Sequence, residues 1–158
     1  MIAKIISGGQ TGADQAALRA ARADRTPTGG WAPKGWKTEA GPAPWLADYG
    51  LQECPIPGYP TRTHWNIRDS HRTLIIGMPS AGTNLTQRLC GPMYGTKRPW
   101  LWIPWPEPVS YNPIERARDF LWTPKGEVII NVAGNREEMN PGIGAFVEML
   151  LGEALIPF

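Results

Sequence analysis

Ser7-Gly8-Gly9-Gln10-Thr11-Gly12-Ala13-Asp14 follows directly on the apolar run Ile2-Ala3-Lys4-Ile5-Ile6 and leads into an alanine-rich stretch that ends at Ala23. A short β-forming run, a glycine-rich turn and a strong helix former read as strand, tight turn and helix. Glycines let a backbone approach a ligand closely, and the first N–H groups of the helix have no partner within it. Together with the helix dipole, that geometry favours a phosphate or another anion. The turn is neither a Walker A loop, since no Gly-Lys-Ser/Thr follows, nor a GxGxxG fingerprint.

The same punctuation recurs along the chain. Ala13 to Ala23 places Ala17, Leu18 and Ala21 on one helical face, small enough for close packing on a sheet. Thr28 to Gly35 is a glycine-rich segment around a short strand, and Leu51 to Cys54 is a minor strand. Thr61 to His71 reads as a helix leading into the strand Thr73-Leu74-Ile75-Ile76-Gly77, whose unbroken apolar run suits burial on both faces. Pro79 to Thr83 forms a second small-residue turn, and Asn84 to Tyr94 a helix. Trp100 to Ile103 is the next strand, read as buried and central, and Glu115 to Trp122 the next helix. Val128 to Val132 is the last strand, Val132 to Glu137 the third turn, and Pro141 to Leu155 the closing helix, with Pro141 in its first turn. This alternation predicts one doubly wound α/β domain over residues 1–158, with a mostly parallel sheet.

In such a sheet, ligands bind outside the carboxyl ends of the strands. All three turns follow strands, so all three are expected at that edge. Gly8, Gly9, Gly12, Gly82 and Gly134 offer backbone N–H groups there. Thr11, Ser80, Thr83 and Asn84 offer neutral hydrogen bonds, and Lys34, Arg68 and Arg136 offer positive charge. The set suits a phosphorylated small molecule. Asp14 reads equally as a helix-stabilising acid or a ligand contact, and Arg68 and Asp69 read as a surface pair. His64 and His71 fall on one face if the helix runs through both, and are expected at the surface. Trp31 is the aromatic residue placed to stack on a heterocycle.

Composition narrows the class. A net charge of +2 does not make a nucleic-acid-coating surface. The 18 Gly and 17 Pro imply long shaped loops, which in α/β proteins surround ligand sites. Cys54 and Cys90 are the only cysteines and form no CxxC motif, so reduced thiols and a cytoplasmic location are expected. With only two histidines besides, no protein-bound metal is expected. No run approaches transmembrane length, so no membrane partner is expected either.

The motifs also form a familiar series. Ile6 to Asp14, Gly29-Gly30-Trp31-Ala32-Pro33-Lys34-Gly35, Arg62-Thr63 with Trp65-Asn66-Ile67-Arg68-Asp69-Ser70, Gly82-Thr83, and Asn131-Val132-Ala133-Gly134 with Arg136-Glu137 and Pro141-Gly142 span nearly the whole chain. This order resembles the family called putative molybdenum carrier proteins. The resemblance implies a Rossmann-like, three-layer αβα fold akin to the lysine-decarboxylase-like group, which includes cytokinin-activating phosphoribohydrolases. It also implies a homo-oligomer, a dimer or a tetramer. The related phosphoribohydrolases carry a PGGxGTxxE turn whose Glu takes part in catalysis. Here Pro79 to Thr86 keeps the Gly-Thr pair but has Thr86 where the Glu would stand, and threonine is no general acid or base at neutral pH. Ala32 stands where the family pattern often has Cys.

The leading expectation is therefore a non-catalytic carrier or binding protein for a phosphorylated small molecule, either molybdenum cofactor or a nucleotide. The alternatives are a nucleotide-processing enzyme of the N-glycosidic or phosphoribohydrolase type, using Asp14, Asp69 or Glu137, and a nucleotide sensor with Trp100 to Trp105 at an oligomer surface.

Overall fold

The computed structural model describes residues 1–91, 98–106, 112–122 and 125–158. Its strands are β1 (Ile2–Ile6), β2 (Thr28–Ala32), β3 (Leu51–Glu53), β4 (Arg72–Ile76), β5 (Trp100–Ile103) and β6 (Val128–Gly134). Its helices are α1 (Ala13–Ala23), α2 (Tyr59–Arg68), α3 (Ala81–Leu89), α4 (Pro113–Trp122) and α5 (Ile143–Ala154). The strands form one sheet in the order β3-β2-β1-β6-β4-β5, and every pairing is parallel. Leu74, Ile75 and Ile76 of β4 are fully buried, as are Ile5 of β1 and Ile130 and Val132 of β6. Central strands covered on both faces have no polar side to present, which is why their sequence runs apolar without alternation.

The helices divide between the two faces according to the direction of each crossover. α1 and α4, on connections leading toward the β3 edge, pack with α5 on one face. α2 and α3, on connections leading toward the β5 edge, pack together on the other. A single hand of crossover demands this split. The small residues of α1 do pack closely: Ala13, Ala16, Ala17, Ala20 and Ala21 are buried in the main core with Val147, Leu150 and Leu151 of α5, while Leu18, predicted on the same face as Ala17 and Ala21, packs in a separate cluster with Ala32, Leu46 and Leu51. The last strand, β6, lies between β1 and β4. Counting strands from β6 instead of β1 turns the order into 4-3-2-1-5-6, a plain doubly wound sheet cut open at a different loop.

Five details depart from the sequence reading. β6 runs through Gly134, so the third turn starts at Asn135 and Gly134 is a strand residue. Among the described residues β5 closes one edge of the sheet, paired only with β4, so it is not a central strand, and Trp100 is exposed. α2 stops at Arg68, and His71 lies beyond it with Nδ1 accepting the Ile129 amide at 2.8 Å, so the two histidines share no helical face. α5 starts at Ile143 behind a left-handed Gly142 (φ 93°), which leaves Pro141 outside the helix. α3 starts at Ala81 and ends at Leu89; the predicted end at Tyr94 lies outside the described residues. Cys54 and Cys90 are free and buried, and among the described residues no helix is long and apolar enough to cross a membrane.

Candidate functional site at the carboxyl edge of the sheet

Because the sheet is parallel, the loops after β1, β4 and β6 emerge on one edge. They meet the first turns of α2 around a cavity of about 320 Å³, lined among others by Gln10, Asp14, Arg62, Ser80, Gly82, Gly134 and Arg136. The convergence predicted for the three turns is therefore present.

The turns do not contribute in the way their glycines suggest. A Cβ on Gly8 would collide with the guanidinium of Arg62, and one on Gly9 would meet Leu46 Cδ1 at 2.6 Å. At Gly12 (φ 76°) it would meet the carbonyl oxygen of Asn135 at 2.5 Å, and at Gly134 it would strike the Ile76 carbonyl and Ala13. These four glycines let the chain approach itself. Only around Gly82 is there open room, with nothing nearer to an added Cβ than Ser80 Oγ at 3.9 Å. The amides of the first turn are likewise spent internally: Ala13 N–H donates to Asn135 O (3.1 Å) and Gln15 N–H to Gln10 O (3.1 Å).

What fills the place expected for an anion at α1 is Asp14. Its carboxylate accepts the Gln10 amide at 3.2 Å, and its Oδ2 lies 3.8 Å from Arg62 Nη1. Burial pushes the Asp14 carboxyl up to about 6, and the Arg62 charge and the Gln10 and Gly8 amides only partly oppose it. Burial also lowers the pKa of Arg62, against the pull of Asp14. Arg62 Nε is enclosed without a hydrogen-bond partner, and a 3.8 Å pair leaves the guanidinium with donors to spare. Asn66 holds α2 in place by accepting the Trp31 amide (2.8 Å) and donating to the Trp31 carbonyl (3.1 Å). This fixes Tyr59 and Arg62 over the sheet edge.

Across the cavity, Ser80 and Thr83 close a reciprocal capping box at the start of α3. Thr83 N–H donates to Ser80 Oγ at 3.2 Å and Ser80 N–H to Thr83 Oγ1 at 2.9 Å. Thr83 is thus a buried cap, while Ala81 and Gly82 line the cavity. Thr86 donates to the Gly82 carbonyl at 3.0 Å, so the position of the related enzymes' Glu holds a hydroxyl engaged with its own helix. Asn135 ties the second and third turns, accepting the Met78 amide (2.7 Å) and donating to the Met78 carbonyl (3.0 Å).

Glu39 fastens an outer loop onto this edge. It accepts the Thr11 hydroxyl and the Glu138 amide (3.0 Å), and its Oε2 lies 3.2 Å from Arg136 Nε, in ion-pair range but off hydrogen-bond alignment. Thr11 is therefore a brace between loops.

Two of the three expected cations lie elsewhere. Arg68 is exposed and bidentate to Asp69 (2.7 and 3.1 Å), and Lys34 lies in a neighbouring hollow. Trp31 donates Nε1–H to Asp69 (2.8 Å) and packs edge-on against Trp65, away from the cavity. Of the three candidate carboxylates, Asp69 is held by Arg68 and Trp31, and Glu137 accepts the amides of Gly142 (2.6 Å) and Gly144 (3.0 Å) at the start of α5. Only Asp14 faces the cavity. Among the lining residues that sequence reasoning left out of the site, which include Gln10, Tyr59 and Asn135, the central one is Arg62. Its sole signal was its place in the Arg62-Thr63 motif, since α2 has no glycine-rich turn to point to it. Among the described residues, no group of three His, Cys, Asp or Glu side chains could hold a metal ion.

Fold and cavity together define a doubly wound α/β protein with a cleft at the carboxyl edge of its sheet, apolar over most of its wall and carrying a few charged groups. The chain belongs to the circularly permutated YpsA SLOG family, whose model matches residues 5–155. The central position of β6 is the structural counterpart of that permutation. A solved structure from Syntrophus aciditrophicus, described as a putative molybdenum carrier protein, is 37% identical and superposes with a TM-score of 0.85 over 98% of this chain and 96% of that one. The resemblance seen in the motifs thus holds at the level of the whole fold. No curated protein matches the chain.

Proposed function

We propose that the protein binds a phosphorylated small molecule in this cleft, a nucleotide or molybdenum cofactor carried as cargo, with the phosphate between Arg62 and the start of α3. The observation that carries the reading is the pairing of a sequestered guanidinium that has spare donors with Gly82, the unobstructed glycine of the three turns. An oxyanion there would gain charge-assisted bonds from Arg62 and the favourable end of the α3 dipole. Arg136, half-exposed and loosely held by Glu39, stands at the rim as a second cation. The homo-oligomer and the cytoplasmic setting expected from the sequence belong to the same proposal.

Calorimetric titration with AMP tests it. The wild-type protein is expected to bind, and Arg62→Lys to weaken binding by about tenfold or more, because an ammonium cannot reproduce the fork geometry. Gly82→Val, which fills the open space while leaving the Asp14–Arg62 pair intact, should weaken it independently. No binding by the wild type, or equal binding by both variants, overturns the reading.

A second reading, hydrolysis of the bound nucleotide, is favoured by Asp14. A cavity-lining carboxyl whose pKa is about 6 is poised to donate or accept a proton near neutrality. In N-glycosidic cleavage, water would add across the C1′–N bond of AMP, the proton going to the departing adenine. Free adenine released by the wild type and not by Asp14→Asn would support it, and no release by the wild type would exclude it for this substrate.

A further inference from the structure

A second hollow of about 510 Å³ lies beside the cleft, lined by Lys34, Gly35, Lys37, Glu53 and Tyr59 among others. Tyr59 belongs to both cavities, and Arg62 Cζ sits 5.4 Å from the centre of its ring on the cleft side. The two hollows therefore share one aromatic wall. We propose that they form a single bipartite site for a ligand with two separated anionic groups, one on Arg62 and the second on Lys34 and Lys37, with the linking sugar or ring passing over Tyr59. This rests on the phosphate reading of the first cavity.

Three observations support it. The lysines sit directly after β2, so the parallel sheet puts them on the same carboxyl edge as the other three turns, one strand further out. Among the described residues neither ammonium makes an ion pair or hydrogen bond, whereas Arg68 and Arg136 are both matched with carboxylates. The nearby acid is already engaged: Glu53 Oε2 accepts the Gly35 amide at 2.6 Å. That bond ties the lysine-bearing turn to the end of β3. The turn is closed further by Trp36 N–H donating to Pro33 O (2.8 Å) and by the left-handed Gly35 (φ 78°). The two ammonium groups face the hollow from one fastened turn, where a second anionic group could reach both. Pro33 and Pro57 complete apolar walls that suit a ligand body rather than bulk water.

The test compares AMP, with one phosphate, and adenosine 3′,5′-bisphosphate, with two, by calorimetry on wild type and Lys34→Ala/Lys37→Ala. The wild type is expected to bind the bisphosphate about tenfold more tightly than AMP, and the double variant to bind both alike with AMP affinity unchanged. Both lysines are exposed, so the double variant should fold normally, and a matching melting temperature checks this. If AMP binds but the second phosphate adds nothing, or if the double variant keeps the difference, the bipartite site is wrong and the phosphate reading of the first cavity stands. If neither nucleotide binds the wild type, both fall.

Discussion

The turns after β1 and β4 look alike as sequence, Gly8-Gly9-Gln10-Thr11-Gly12 against Ser80-Ala81-Gly82-Thr83, yet the fold uses their glycines in opposite ways. In the first turn every missing side chain is replaced by another part of the protein: a guanidinium at Gly8, a leucine at Gly9, the third turn's backbone at Gly12. In the second, the space at Gly82 is open to the cavity. The difference teaches that a glycine-rich turn marks a close approach without saying what approaches. The first turn holds a buried carboxylate and its counter-ion, and the second holds the room a ligand needs.

Substitutions at the two turns should separate these roles. The largest effect is expected at Gly12→Ala, which combines a positive φ with backbone 2.5 Å from the new Cβ and no flexible side chain to yield. A loss of about 3 kcal/mol, or roughly 6–12 °C in melting temperature for a chain of this size, is expected by thermal unfolding. A loss below about 1 kcal/mol would mean that the first and third turns separate easily.

Next comes the acid–base behaviour of Asp14. Its folded pKa of about 6 lies above its unfolded value, so between roughly pH 4 and pH 6 the folded state binds more protons than the unfolded state. Stability should therefore fall as pH rises through that window, by at most about 3 kcal/mol, and the loss should be complete above it. Asp14→Asn should lack this slope. Denaturant unfolding of both proteins from pH 4 to pH 7 checks the sign. Parallel profiles would show that Asp14 titrates normally.

A smaller loss, about 1–2 kcal/mol, is expected for Glu39→Ala, which leaves the Thr11 hydroxyl and the Glu138 amide without their acceptor and releases Arg136. The same variant should bind AMP slightly better, since Arg136 no longer has a competing carboxylate. Weaker binding would show that the Glu39 loop shapes the cleft.

The smallest effect has the opposite sign. Gly82→Ala should stabilise the protein by about 0.5–1 kcal/mol, because an alanine in the first turn of α3 meets open space and gains helix propensity. Stabilisation with weakened AMP binding would complete the contrast with Gly12. Destabilisation would mean that the second turn is as closed as the first.

Much of this molecule is written locally. The apolar run of β4, the alanines of α1 and the spacing of strands and turns carried the parallel sheet and the single cleft edge, because burial on two faces and helix packing leave periodic marks on neighbouring residues. The motif series carried the family. The edge position of β5 had no such mark: Trp100-Leu101-Trp102-Ile103 is as apolar as a central strand, and only the pairing order reveals that one side has no partner. Arg62, one of two arginines in α2, becomes the central cation only because Asn66 docks α2 beside β2. Lys34 was recognised as a cation at the correct sheet edge, but its separation from the cleft by Tyr59 depends on where α2 starts relative to β2. The sequence leaves Asp14 open between a helix-stabilising acid and a ligand contact, since a carboxylate's chemistry follows from its surroundings, whereas the adjacent Arg68 and Asp69 already read as the surface pair they form. The sequence by itself determined the elements, their class and the edge at which a ligand would meet them, because hydrophobic periodicity and glycine placement act over a few residues. Only the tertiary structure decided which glycine is open, which acid is buried beside which arginine, and which cations remain unpaired, because those properties arise between segments far apart in the chain.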